Sequence, residues 1–174
     1  MPQLADEPLY AVVDGRRVEL APMGVHEGWI ASVLLWHLQT FAQPRRLGRA
    51  VMEILFDLAT VGKEQRPDVA FVSSQRWPYD RVPPRGDNAW KVIPNLTVEV
   101  VSPSNMADEI QVKIHDYFQS GVELVWVIYP EHREVYVYGS PVRVQVRART
   151  DVLEGGKVLP DFRLALEELF GNEG

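Results

Sequence analysis

The chain has 174 residues, 46% hydrophobic and 24% charged, with a formal net charge of −6, which suits one globular domain over residues 1–174 and argues against a protein that merely coats nucleic acid. The absence of cysteine excludes a disulfide framework and any thiolate-held metal. The opening MPQLADEPLY has neither a basic patch nor a long apolar stretch, and no apolar run approaches a membrane span, so the expectation is a soluble, cytoplasmic protein without a signal peptide or membrane association.

Ala11 to Leu20 reads as a hairpin turning at Asp14-Gly15. From His26 to Phe41, the residues Ile30, Val33, Leu34, Leu38 and Phe41 recur at helical spacing, and Pro44 closes that helix. Arg49 to Leu58 is strand-like and precedes a polar turn around Gly62, while Arg66–Val72 and Pro94–Val101 are the clearest strands. Ser102 to Asn105 supplies capping side chains for a second helix, Ala107 to Ser120, stopped by Gly121. Leu124–Pro130 and Glu134–Gly139 form a strand pair turning at Glu131-His132. Val142–Ala148 then alternates as a two-sided strand, and Leu159–Phe170 ends in a short helix. With no repeat, linker or low-complexity tract, this order predicts an α/β (α+β) fold on a mixed sheet, preceded by an N-terminal hairpin.

Three residues stand out chemically. Asp68 opens the apolar run Val69–Val72, where a stiff strand could hold a metal-binding carboxylate, or where it simply caps a turn. In Leu96–Val101 the period-two pattern sets Thr97, Glu99 and Val101 on one face, so a central strand would bury Glu99. A buried carboxylate is costly unless hydrogen-bonded, paired or metal-bound, and Arg66 is the alternative partner. Lys113 lies at the edge of the buried stripe Ile110, Ile114, Tyr117 and Phe118, with Glu109 as its alternative surface partner. Together, two carboxylates and a lysine suit Mg²⁺ (or Mn²⁺) and phosphodiester hydrolysis.

The strings RPDVAFVSSQRW, PNLTVEVVSPSN and ADEIQVKIHDYFQSGVELVWVIYP resemble the Uma-type restriction endonucleases, a branch of the PD-(D/E)XK nuclease superfamily. The resemblance spans nearly the whole chain and implies a restriction-endonuclease-like fold, a central mixed sheet flanked by helices. It implies a metal-dependent endonuclease acting on DNA as a homodimer, with Asp68 and Glu99 as metal ligands and Asp68, Glu99 and Lys113 as catalytic residues. The lysine usual two residues after the second acidic residue would fall at Val101, and the resemblance implies that its role has moved to the next helix, where Lys113 is the match. Glu27 matches an additional acidic residue of the superfamily, and Asn95 stands where relatives commonly carry Asp.

The segment joining the two strands carries Arg76, Arg81, Arg85, Trp90 and Lys91, cations and an aromatic suited to nucleic-acid contact, or else a long ordered loop whose tryptophans pack inward. His26, His37, His115 and His132 show no metal-ligand spacing. No Walker-type or dinucleotide-type glycine loop is present, so no nucleotide cofactor is expected. The competing expectation is a catalytically silent protein of the same fold that binds nucleic acid or protein.

Overall fold

Two runs that read as buried strands lie side by side at the centre of the fold. In the computed structural model, which describes residues 7–172, the N-terminal hairpin is β1 (Tyr10–Val13) and β2 (Arg16–Glu19), followed by α1 (Val25–Ala42). Next come β3 (Gly48–Met52), β4 (Phe56–Leu58), β5 (Lys63–Gln65), β6 (Val69–Ser73) and β7 (Leu96–Val100). The chain continues through α2 (Ala107–Ser120), β8 (Leu124–Tyr129), β9 (Glu134–Ser140), β10 (Arg143–Arg147), β11 (Val152–Gly155), β12 (Leu159–Ala165) and α3 (Leu166–Phe170). Part of the segment read for a signal peptide, residues 1–6, lies outside the described residues.

The main sheet has the order β10-β9-β8-β7-β6-β3. Its β7–β8 pair is parallel and bridged by α2, and its other pairs are antiparallel, giving the expected mixed sheet. All five residues of β7 are buried, as for a strand covered on both faces. On one face α1, α3 and the β11–β12 hairpin pack through Leu34, Leu38, Val98, Trp126 and Phe162. On the other, α2 sets Ile110, Ile114 and Tyr117 against Ala70, Val72, Val125 and Val127. A second sheet, β2-β1-β5-β4, grows from the N-terminal hairpin, whose Asp14 and Gly15 both adopt positive φ as its tight turn requires. Among the described residues no helix is long and apolar enough to cross a membrane.

Two local expectations are corrected. The strand-like run Arg49–Leu58 is not one strand: β3 pairs with β6 in the main sheet, and β4 pairs with β5 in the smaller one. The break falls at Glu53, whose φ of 52° turns the chain while its N–H donates to the Asp68 carbonyl at 3.1 Å. Ser102 and Asn105 do not cap α2, which starts at Ala107 after Met106 at the N-cap, with no side-chain cap. Instead the Ser102 N–H donates to Asn105 Oδ1 at 2.8 Å, closing a turn ahead of the helix. Asp108 and Glu109 in the first turn of α2 complement its dipole instead.

Candidate active site

The register of β6 and β7 brings the two carboxylates together. Val69 is the partner of Val98, so Asp68, one residue earlier, and Glu99, one residue later, lie opposite each other on the antiparallel pair. Opposed side chains in such a pair share one face of the sheet with Cβ atoms ~5 Å apart. That face is the one α2 covers. From α2, Lys113 Nζ donates to Glu99 Oε2 at 2.8 Å, and the Tyr117 hydroxyl donates to Glu99 Oε1 at 2.6 Å. Helical geometry sets these two donors one turn apart on the same side of α2, so a single helix face grips both oxygens of one carboxylate.

Asp68 is held differently. Its Oδ2 accepts the Val100 N–H at 2.6 Å, a backbone donor fixed by the β-sheet. Burial, then the neighbouring Glu99 carboxylate, pushes the Asp68 pKa up to about 7, against the lowering pull of the Val100 N–H and the Lys113 ammonium. Burial alone would pull the Lys113 pKa down, but the Glu99 carboxylate outweighs it, and the ammonium titrates above its ordinary value. Tyr117, fully buried, is pushed well above the ordinary phenol range by burial and by Glu99, so it stays a hydrogen-bond donor. The facing pair of carboxylates is thus hydrogen-bonded by one ammonium, that of Lys113, and a further cation beside the pair would favour the ionised form of Asp68.

Asp68, Glu99 and Lys113 line a cleft of about 640 Å³. The N-terminal hairpin walls it through Val13 and Val18, Gln65 and Arg66 lie alongside, and Glu27 reaches it from the start of α1. Arg66 donates to the carbonyls of Tyr10 and Glu53 rather than to Glu99, and the partner of Lys113 is Glu99 rather than Glu109. Asn95 lies at the opposite end of β7, four residues or ~13 Å from Glu99. There it accepts the Ser73 N–H at 2.8 Å and donates to Glu123 at 2.9 Å, tying β6 to β7.

The loop residues read for nucleic-acid contact do not line this cleft. Arg76 is occupied by the fold, donating to the carbonyls of Ile93, Pro94 and Gly121 at 3.0–3.1 Å. Trp90 is buried, stacked on Phe56 with ring centroids 5.6 Å apart. Arg81 covers the Trp77 ring at 4.3 Å, Lys91 approaches Asp87 at 3.8 Å, and Arg85 is exposed. Arg81 and Trp90 line a neighbouring cleft of about 520 Å³ that shares Arg66 with the carboxylate cleft.

Tyr117 is the participant that the sequence pattern shows only as a core residue. Its signal is a phenol on a buried stripe one turn from Lys113, because a buried hydroxyl needs a partner. Tyr117→Phe keeps the packing and removes the bond to Glu99. One oxygen of a buried carboxylate then loses its donor, so the stability is expected to fall by about 1–3 kcal/mol while the far-UV circular dichroism stays unchanged. Equal melting temperatures in the two proteins would assign the tyrosine to packing alone.

A solved structure shares this architecture at low identity. The crystal structure of a "putative nuclease belonging to DUF820" from Anabaena variabilis superposes with a TM-score of 0.79 at 19% identity, covering 94% of this chain and 90% of that one. At that identity the likeness speaks for the fold. No curated protein matches the sequence. The family match is nearly full-length and supports a nuclease-type function: over residues 1–167 the chain fits, and belongs to, the Uma2 family, described as "Putative restriction endonuclease".

Proposed function

We propose that the protein is a Mg²⁺- or Mn²⁺-dependent endonuclease that hydrolyses DNA phosphodiester bonds, with Asp68 and Glu99 as metal ligands and Lys113 as the third catalytic residue. The observation that carries this reading is the facing pair of carboxylates, gripped from α2 by one ammonium and one phenol. The donor set fits the ion. It is all oxygen, and the Asp68 carboxyl, held up near 7, gains most from a cation beside it. With only these two carboxylates facing each other, water would complete the coordination of the ion. Glu27 would add a more distant acidic group at the cleft wall.

When bound, the ion supplies charge neutralisation at the scissile phosphate and acidifies a water. The protein's own contribution is rigidity and placement. The Val100 N–H fixes Asp68, Tyr117 fixes Glu99, and Lys113 extends into the cleft with an ammonium that stays charged at any working pH. Such a cation orients water and stabilises negative charge developing on the phosphate oxygens. Arg66 lines both clefts while its Nε and one Nη donate to the Tyr10 and Glu53 carbonyls, so only its other Nη would remain for the backbone of a flanking strand.

The direct test incubates purified protein with supercoiled and linear DNA in Mg²⁺, Mn²⁺ or EDTA. Cleavage is expected with either metal, to vanish in EDTA, and to be abolished by Asp68→Asn, Glu99→Gln and Lys113→Ala. Cleavage that persists equally in all three variants would remove these residues from the chemistry. DNA retention without Mn²⁺ uptake or cleavage would instead make the protein a binding module on a nuclease fold.

A further inference from the structure

α1 is apolar on both of its sides. Its inner side packs Ile30, Ala31, Leu34, Leu38 and Ala42 into the core. Its outer side carries Val25, Trp29, Ser32 and Trp36, spaced as a heptad seam of four, three and four residues. Val25 is 94% exposed, Trp29 69% and Trp36 61%. Glu27 is the only charged residue of the helix outside its histidines, and it turns toward the carboxylate cleft rather than into the seam. An amphipathic surface helix puts charged or polar residues outward, and a helix that is hydrophobic all round is normally buried.

The chemistry of the seam narrows what covers it. DNA requires cations, and an interfacial membrane helix carries Lys or Arg on its polar side; α1 has neither residue. Exposed tryptophans without charge, flanked by Ser32, Gln39 and Thr40, have the composition of a protein–protein interface core with a polar rim. The arrangement is also self-complementary. Trp29 and Trp36 lie equidistant from the point between Ser32 and Val33, and Val25 mirrors the position of Gln39 and Thr40. A two-fold axis through that point sets each Trp29 against the other copy's Trp36, with the small Ser32 at the crossing. Reciprocal contacts of this kind are what a two-fold homodimer requires. The Ser32 hydroxyl already donates to the Gly28 carbonyl at 2.7 Å, so covering it leaves no donor unsatisfied. The area is of the right order. Each ring leaves on the order of 150 Å² in water, and the seam is ~17 Å long from Val25 to Trp36 and ~22 Å with the rim residues Gln39 and Thr40, so with its rim it approaches the ~800 Å² that one side of a standard interface buries.

We infer that two copies of this chain associate through an antiparallel α1–α1 contact centred on Ser32 and sealed by Trp29 and Trp36. Because Glu27 of the same helix faces the carboxylate cleft, the contact also fixes the two clefts relative to one another. Association through this seam does not depend on nuclease activity, and the two can fail separately. Light scattering during gel filtration of the full chain, across about 1–100 μM, is expected to give a dimer mass. The double variant Trp29→Glu/Trp36→Glu is expected to be monomeric with unchanged circular dichroism. The absence of cysteine permits a second, geometric test. Ser32→Cys is expected to form a disulfide-linked dimer under mild oxidation, whereas the control Val142→Cys, at a position 85% exposed on the far edge of the main sheet, is not. A wild type monomeric at 100 μM overturns the inference. So does a dimer that survives both tryptophan substitutions, or a dimer in which Ser32→Cys cross-links no better than the control.

Discussion

Asparagine at position 68 is expected to raise the thermal stability of the metal-free protein at pH 8 and, in the same molecule, to abolish metal-dependent DNA cleavage. The stability half follows from the Asp68 pKa, which rises from an ordinary 3.8 to about 7 in the folded chain, chiefly because the carboxyl is buried and next because Glu99 faces it. At pH 3 both folded and unfolded chains carry a protonated Asp68, and the residue contributes nothing to pH dependence. Between pH 4 and 7 the unfolded chain has released the proton and the folded chain retains it. Unfolding then releases a proton, and stability falls as pH rises. Above pH 7 both are ionised and the full cost, on the order of 2–4 kcal/mol, is present. Asn keeps an oxygen for the Val100 N–H and removes the charge, so the variant should melt roughly 5–10 °C above wild type at pH 8, with the difference fading toward pH 4. Mg²⁺ should close the gap by stabilising wild type alone. Melting curves across pH, with and without Mg²⁺, decide the matter. A variant less stable than wild type at pH 8, or one that Mg²⁺ stabilises equally, would remove Asp68 from the metal site.

A carboxylate whose burial costs stability is the kind of trade that active sites make, and the proposed role of Asp68 gives that cost a purpose. It also explains which parts of the molecule the sequence discloses. Glu99 is visible because one charged residue interrupts a strand whose other positions all suit burial, and Lys113 because its place on the helix stripe forces its stem inward. What joins them is harder to read. The pairing of Asp68 with Glu99 depends on the register of two strands separated by a long loop, and no local pattern fixes that register. The same limit applies at Glu53, where a single left-handed residue sends apolar neighbours into two different sheets. It applies to β11, which finds its hydrogen bonds in β12. Arg76 is the opposite case. Composition makes it look like a phosphate contact, yet three carbonyls from two segments claim its guanidinium. Sequence shows which groups need partners; long-range geometry assigns them.

Lys113→Met gives the sharpest separation of roles within the site, because metal affinity and catalysis should move in different directions. Methionine preserves the unbranched apolar stem that runs between α2 and the sheet and deletes only the ammonium. In the wild type that ammonium occupies Glu99 Oε2 at 2.8 Å and lowers the negative potential at Asp68. Its removal leaves two facing carboxylates with only the Tyr117 hydroxyl and the Val100 N–H as compensation. The metal-free variant should therefore be less stable, by about 1–3 kcal/mol given that the lysine side chain is still 24% exposed. The same loss makes the pair a better seat for a divalent cation, which no longer competes with a fixed positive charge. Calorimetric titration with Mn²⁺ should accordingly find binding equal to or tighter than wild type, and Mg²⁺ should recover the lost thermal stability. On the proposed mechanism cleavage should nonetheless fall by about 10²–10³, because the ion would not replace the ammonium's stabilisation of charge on the phosphate oxygens. Weaker Mn²⁺ binding in Lys113→Met would mean that the lysine organises the carboxylates rather than serving the reaction. Undiminished cleavage would mean that the cation facing the phosphate lies elsewhere, with Arg66 the next residue to test.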